Sequence, residues 1–264
     1  MTPTPVFFLG GHDAEMQAIR ELLLNQNLHF HDKNLSWGAD AIAYAKEIRS
    51  LDSNANFAVL IELSNQNSIK LPPNSLLVDH HGESSGKDMP SSLEQITTLV
   101  GLSKAAFESN RLWQLIAAND IAHVKGMRSL DQPASDAEVF KIRMMDLSAQ
   151  GVSDRDMEIA KLDAKKCQNT CRGKLSVVEA STDRTGLVAE MMEPFFGGPG
   201  FENLLVVGPT EFGFFGNGKL VLLLSNANPE SWYGGALPEN GFWGCKLESI
   251  TSSPQSVLEN LLNG

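Results

Sequence analysis

Along the N-terminal third of the chain, apolar residues come in short unbroken runs separated by stretches of helical spacing. Pro5–Leu9 (PVFFL) stops at Gly10-Gly11 and reads as a buried strand. The next segment, 13–26, places Met16, Ile19, Leu22 and Leu23 on one helical face. LHFH (28–31) reads as a short strand, and WGADAIAYAKEIRSL (37–51) as a helix. FAVLIEL (57–63) and SLLVD (75–79) are two further apolar strands, the last entered through the turn residues Pro72-Pro73-Asn74. Continuously apolar strands alternating with helices predict a parallel sheet covered on both faces.

From Ser91 to about Arg172 the spacing becomes helical throughout, in segments 91–101, 104–122, 134–150 and 154–170. Ser91 or Ser92, Ser103, and Ser153 or Asp154 are placed to cap three of these helices. Beyond Gly173, KLSVVEA, ENLLVVG and GKLVLLLS predict strands, with a helix around TGLVAEMMEPF and another at SPQSVLENLL. FFGGPG and FGFFGNG predict glycine-rich connections. The expected organisation is α/β: a parallel-sheet domain with a helical linker over residues 1–172, and a smaller α/β domain over 173–264.

Ligands of open parallel sheets gather beyond the carboxyl ends of the strands. Those ends carry His12, Asp13 and Glu15 after the first strand, Glu62 after FAVLI, and Asp79, His80 and His81 after SLLV. An Asp-x-Glu pair past a strand suits two neighbouring cations, with Glu62 as a bridge and one neutral imidazole completing a shell. Many oxygen donors with few nitrogens favour manganese or magnesium over zinc. The second histidine is then left to face a phosphate. Taken singly, each residue also has a plainer reading: Asp13 fits the cap of a helix starting at Ala14, Glu62 a frayed strand end, and His80-His81 a turn.

Composition narrows the partners. The 264 residues carry a net charge of −11, which opposes sequence-blind binding to long nucleic acid while permitting a small phosphorylated ligand. Three cysteines form no disulfide framework, and Cys167 and Cys171, four apart in a predicted helix, lack the second pair that a zinc site needs. The N-terminus has neither a basic region nor an apolar run of signal-peptide length, and no segment approaches the roughly 20 apolar residues of a membrane helix. A soluble cytoplasmic protein is expected.

Asp79-His80-His81 after an apolar strand resembles the motif that names the DHH phosphoesterase superfamily. Asp13-Ala14-Glu15 is similar to its acid-x-acid motif, and Glu62 to its middle acid. A fourth acid on a later helix is matched by Asp120 in LIAANDIAHVKGM. The resemblance implies two-metal hydrolysis of a phosphoester, with two Mn2+ or Mg2+ ions. By that resemblance Asp13 and Glu62 hold one cation, and Glu15, Glu62, His80 and Asp120 the other. His81 then contacts the phosphoryl group and Asp79 orients the adjacent histidine. His12 is a further candidate ligand, and His123, three residues past Asp120, a substitute or supporting one.

Arg111, Lys125 and Arg128 flank Asp120 as candidate substrate contacts. Within SWYGGALPENGFWG (231–244), Gly234-Gly235 resembles the superfamily's glycine-rich substrate loop without its histidine. There Trp232 fits either a base-stacking wall or a core plug. Glu15 and Glu62 stand where the superfamily usually has aspartate, each adding a methylene. The expected activity is hydrolysis of a small nucleotide-like phosphoester, such as a short oligonucleotide or dinucleotide. A catalytically weakened nucleotide sensor or protein-interaction module is the alternative.

Overall fold

The computed structural model describes residues 3–65, 69–86 and 88–263. It divides into two compact units, Met1–Ser84 with Met89–Gly151, and Ser85–Asp88 with Val152–Gly264. The structure is mixed α/β in both.

In the first unit β1 (Thr4–Leu9), β2 (Phe30–His31), β3 (Asn56–Ile61) and β4 (Leu76–Val78) form one parallel sheet in the order β2-β1-β3-β4. The carboxyl halves of β1 and β3 are fully buried, as their unbroken apolar sequences require. Val6, Phe8, Ala58 and Leu60 pack with Ala41, Tyr44 and Ile48 on one face. Phe7, Leu9, Val59 and Ile61, alternating with them, are buried on the other. Tyr44 also donates its hydroxyl to the Leu9 carbonyl at 2.7 Å, fixing the end of β1.

The helices of this unit are α1 (Ala14–Asn25), α2 (Ala45–Arg49), α3 (Ser92–Leu99), α4 (Lys104–Ser109), α5 (Arg111–Arg128) and α6 (Asp136–Ala149). Ser91 and Ser103 cap α3 and α4 as expected. The segment 104–122, expected as one helix, is two, because Asn110 turns out of the helix and its side chain accepts from the Trp113 amide to start α5. A second break falls inside α5 at Ala122 and His123, the latter at φ +48°. The helix expected from Trp37 begins only at Ala41, where Asp40 caps a 3-10 turn by accepting from the Ile42 amide.

The second unit opens with α7 (Asp154–Ala164), capped by Ser153. Its sheet runs β5-β6-β7-β8-β10-β9, from β5 (Gln168–Thr170), β6 (Leu175–Glu179), β7 (Leu204–Val207), β8 (Glu211–Asn217), β9 (Trp232–Gly234) and β10 (Asn240–Lys246). Helices α8 (Thr185–Met192), α9 (Gly218–Ala227) and α10 (Pro254–Asn263) complete it. The division falls ahead of the boundary expected near Gly173. Asp163 at the end of α7 accepts from the amide and hydroxyl of Ser181, tying α7 to the chain after β6.

Three local expectations change here. GKLVLLLS is the helix α9, since Asn217 caps it and Val221 and Leu224, three apart, turn inward. A short apolar run carries no periodicity to separate helix from strand. FGFFGN is the strand β8 instead of a connection, its glycines pairing with β7 and β10. Cys167 lies past the end of α7 and Cys171 begins a 3-10 turn, so the two do not share a helical face. No helix among the described residues is long and apolar enough to cross a membrane.

Candidate metal centre

Four segments of the first unit bring acids and an imidazole to one place. Asp13 ends the β1 loop and caps α1, its Oδ1 accepting from the Met16 amide at 2.8 Å. Glu15, in the first turn of α1, is 1% exposed, and its Oε1 accepts from the Leu93 amide near the N-terminus of α3. Glu62 follows β3 directly at φ +50°, a left-handed conformation uncommon for a residue with a Cβ. Its amide donates to Val78 at the end of β4. Close approach of β1 is needed beside it: a Cβ on Gly10 would lie 2.4 Å from the Glu62 carbonyl oxygen.

His80 stands just past β4 and is the hub. Its Nε2 lies 2.5 Å from Asp120 Oδ2, 3.3 Å from Glu62 Oε1 and 3.5 Å from Glu15 Oε2. None of these contacts has the direction of a hydrogen bond. Glu15 Oε2, both oxygens of Glu62, His80 Nε2 and Asp120 Oδ2 are all buried without one. Donor atoms of Glu62, His80, His81 and Asp120 fall within 4.8 Å of one another. Buried polar atoms are nearly always hydrogen-bonded. A convergence of unsatisfied ones could hold a cation, and carboxylate oxygens with few imidazoles fit a divalent manganese or magnesium ion.

The electrostatics agree. Burial pushes Asp13 well above the usual carboxylate range, and the charges of Asp120, Glu62 and Asp146 push the same way. Glu15 rises to about 8, through burial first and the Asp120 charge next. Burial would raise Glu62 as well, yet the neighbouring imidazoles His80 and His81 hold it at about 2. For His80 burial works against the charged form, but Asp120, Glu15 and Glu62 outweigh it and keep the proton far above the ordinary imidazole range. Asp13 and Glu15 thus hold protons against neighbouring carboxylates, a crowding that a divalent ion would relieve.

The remaining expected residues sort themselves by their contacts. His81 is held by Asp79, whose Oδ1 accepts from its amide and lies 2.9 Å from its Nδ1. The rings of His80 and His81 are 4.3 Å apart. His12 Nδ1 lies 3.2 Å from the Ala149 carbonyl. The break in α5 removes the helical spacing that would have set His123 beside Asp120. Arg111 pairs with Glu138, and Arg128 with Asp136 and the Ala134 carbonyl. Lys125 is exposed near the end of α5. Trp232, Gly234 and Gly235 lie in or directly after β9 of the second unit, where the Trp232 indole covers Gly244 of β10.

Sequence reasoning missed a second layer. Arg143 of α6, 2% exposed, donates to Asn119 Oδ1 at 2.7 Å and to Asp146 Oδ2 at 2.8 Å. Asp146 Oδ1 in turn accepts from the Ala14 amide at 3.0 Å. Residues adjoining Asp13, Glu15 and Asp120 are thereby tied to one buried ion pair. The signal was present as opposite charges three apart between the apolar residues Val139, Ile142 and Leu147.

No protein-family model and no curated protein sequence matches the chain. Among solved structures, the DHH domain of a protein from a family of ribosomal proteins matches at TM-score 0.50 and 11% identity, over 98% of this chain and 87% of that one. An exopolyphosphatase-related protein from Bacteroides fragilis matches at TM-score 0.48 and 11% identity, over 98% and 91%. The exonuclease RecJ bound to manganese matches at TM-score 0.45 and 12% identity, over 98% and 90%. The fold is similar to that of the DHH domain.

Proposed function

We propose that the chain is a divalent-metal-dependent phosphoesterase that hydrolyses a small nucleotide-like substrate, a short oligonucleotide or dinucleotide. One observation carries the reading: Glu15, Glu62, His80 and Asp120 gather buried, unsatisfied donor atoms beyond the carboxyl ends of parallel strands. These residues would hold one Mn2+ or Mg2+ ion. Both oxygens of Glu62 lack hydrogen bonds, so Glu62 could also help Asp13 hold a second ion. Bound ions supply an acidified water as nucleophile and neutralise the phosphoryl oxygens. His81, held through Nδ1 by Asp79, donates from its ring to a phosphoryl oxygen when protonated. Burial lowers its proton affinity and Asp79 raises it to a net gain, which favours that donor form. The net charge of −11 supports a small ligand over a long polyanion, and cysteines that form no disulfide framework support a cytoplasmic setting.

One feature favours the alternative, a weakened relative that binds without turnover: Asp13 commits Oδ1 to the Met16 amide. The deciding experiment incubates the protein with manganese and a panel of short oligonucleotides, cyclic dinucleotides, pyrophosphate and a generic phosphodiester. Turnover abolished by EDTA and by Asp120→Asn supports the enzyme. Bound manganese without turnover supports the sensor, and failure to bind any divalent ion overturns both.

A further inference from the structure

Trp37 is a large aromatic that the expected chemistry did not use and that stands against the cluster. Its ring meets His81 at right angles with centroids 5.7 Å apart, and the residue is 47% exposed. A single exposed indole needs no explanation. Here the backbone beneath it is unusually well fixed. On one side Leu35 bridges to Gly11, and its carbonyl accepts from the His12 amide at 3.0 Å. On the other, Asp40 bridges to Ser64, the Ser64 amide donates to Ala39, and Ser64 Oγ donates to Asp40 Oδ2 at 2.9 Å.

The loop 35–40 is thus stitched to the segments following β1 and β3, the same two that supply Glu15 and Glu62. Trp37 sits tightly on the first of them, since a Cβ on Gly11 would lie 2.6 Å from its Cα. A rigid strap that presents an indole beside His81 places a flat apolar surface where the non-phosphate part of a ligand must lie. Indoles bind nucleobases by stacking, without regard to base identity.

Resting on the phosphoesterase reading above, we infer that Trp37 is the base-stacking residue of this site. The ligand is then a phosphate carrying an adjacent base, and neither pyrophosphate nor a base-free phosphoester is the preferred class. Trp37 does this from the first unit, the role that the sequence left open for Trp232.

The test measures binding of 5′-AMP, ribose 5-phosphate and inorganic phosphate by calorimetry in the presence of manganese, for the wild type and for Trp37→Ala and Trp37→Phe. The wild type should bind AMP about 5- to 150-fold more tightly than ribose 5-phosphate, the range set by one stacked base. That ratio should collapse in W37A and largely persist in W37F, and AMP should quench indole fluorescence in the wild type more than in W37F. An unchanged ratio in W37A overturns the inference. So does an equal loss for all three ligands, which would make Trp37 only a prop for His81. Binding of AMP that W37A abolishes, without affinity for ribose 5-phosphate or phosphate, keeps the stacking role and discards the phosphoesterase reading. No binding of any of the three discards both.

Discussion

Arg143 and Asp146 lie one turn apart on α6 and close a buried ion pair, Nη1 to Oδ2 at 2.8 Å. Asp146 also takes the Ala14 amide while Arg143 also holds Asn119, so a single pair links the start of α1 to the turn of α5 before Asp120. Breaking a buried pair by removing one partner leaves an uncompensated charge and costs about 3–5 kcal/mol. Arg143→Met should therefore destabilise the protein by that amount in chemical denaturation. Arg143→Met with Asp146→Leu should recover part of the loss, and a double mutant no more stable than the single would contradict the pairing.

Asp79 holds His81 through both its amide and its Nδ1. Partners that orient a functional imidazole are typically worth 10–100-fold in affinity or activity (about 1.4–2.7 kcal/mol). Asp79→Asn should reduce turnover by roughly that factor. Its far-ultraviolet circular dichroism should stay unchanged, because the carboxylate is substantially exposed and buries no core contact.

Manganese should stabilise the fold. A ligand that binds only the native state adds about 2.7 kcal/mol at one hundred times its Kd. Thermal melts with and without manganese check this, and the increment should vanish in His80→Ala, which removes the hub of the cluster.

Gly10→Ala would set a methyl 2.4 Å from the Glu62 carbonyl oxygen, a backbone atom that cannot swing aside. The expected cost is about 1–3 kcal/mol of overpacking. Because the displaced backbone belongs to Glu62, manganese affinity measured by calorimetry should fall as well. Loss of stability with metal affinity intact would show that the strain is absorbed elsewhere.

Asp163 contributes to the pH dependence of the second unit, along with Asp156 and Asp183. Burial raises its proton affinity, but Lys166 and the Ser181 amide and hydroxyl outweigh that and leave it below the usual carboxylate range. A depressed folded-state pKa gives stability that is full above the unfolded value, about 3.9, and drains away as pH falls through the folded one. Urea titrations from pH 6 down to pH 2 should lose more stability in the wild type than in Asp163→Asn. Parallel pH profiles would remove Asp163 from this role.

The strand ends of the first unit were legible because period and chemistry coincided there. PVFFL and FAVLIEL are apolar without interruption, and each runs straight into acids. The structure brings Glu15 and Glu62, both from those strand ends, within 3.5 Å of His80, and Asp120 of α5 meets them there. Asp13 is the helix cap considered for it, and it is buried as well. What escaped was set by tertiary contact. GKLVLLLS has the composition of a strand, and only the Asn217 cap and the inward turn of Val221 and Leu224 make it a helix. The break at His123 has no marker in a segment of ordinary helix formers. Trp37 was absorbed into an expected helix because nothing in WGAD shows that Asp40, three residues later, is the true cap.

Glu62 sits in a left-handed backbone conformation between two buried strand ends, among carboxylates that repel it. Its neighbours Glu15, His80 and Asp120 arrive from segments far apart in the chain and meet only once β1, β3 and β4 have found register. The finished sheet thus holds these carboxylates close together. A cation that recognises only the finished cluster would relieve that repulsion, so the metal content of the medium should govern how much of this chain is folded, ahead of any reaction it performs.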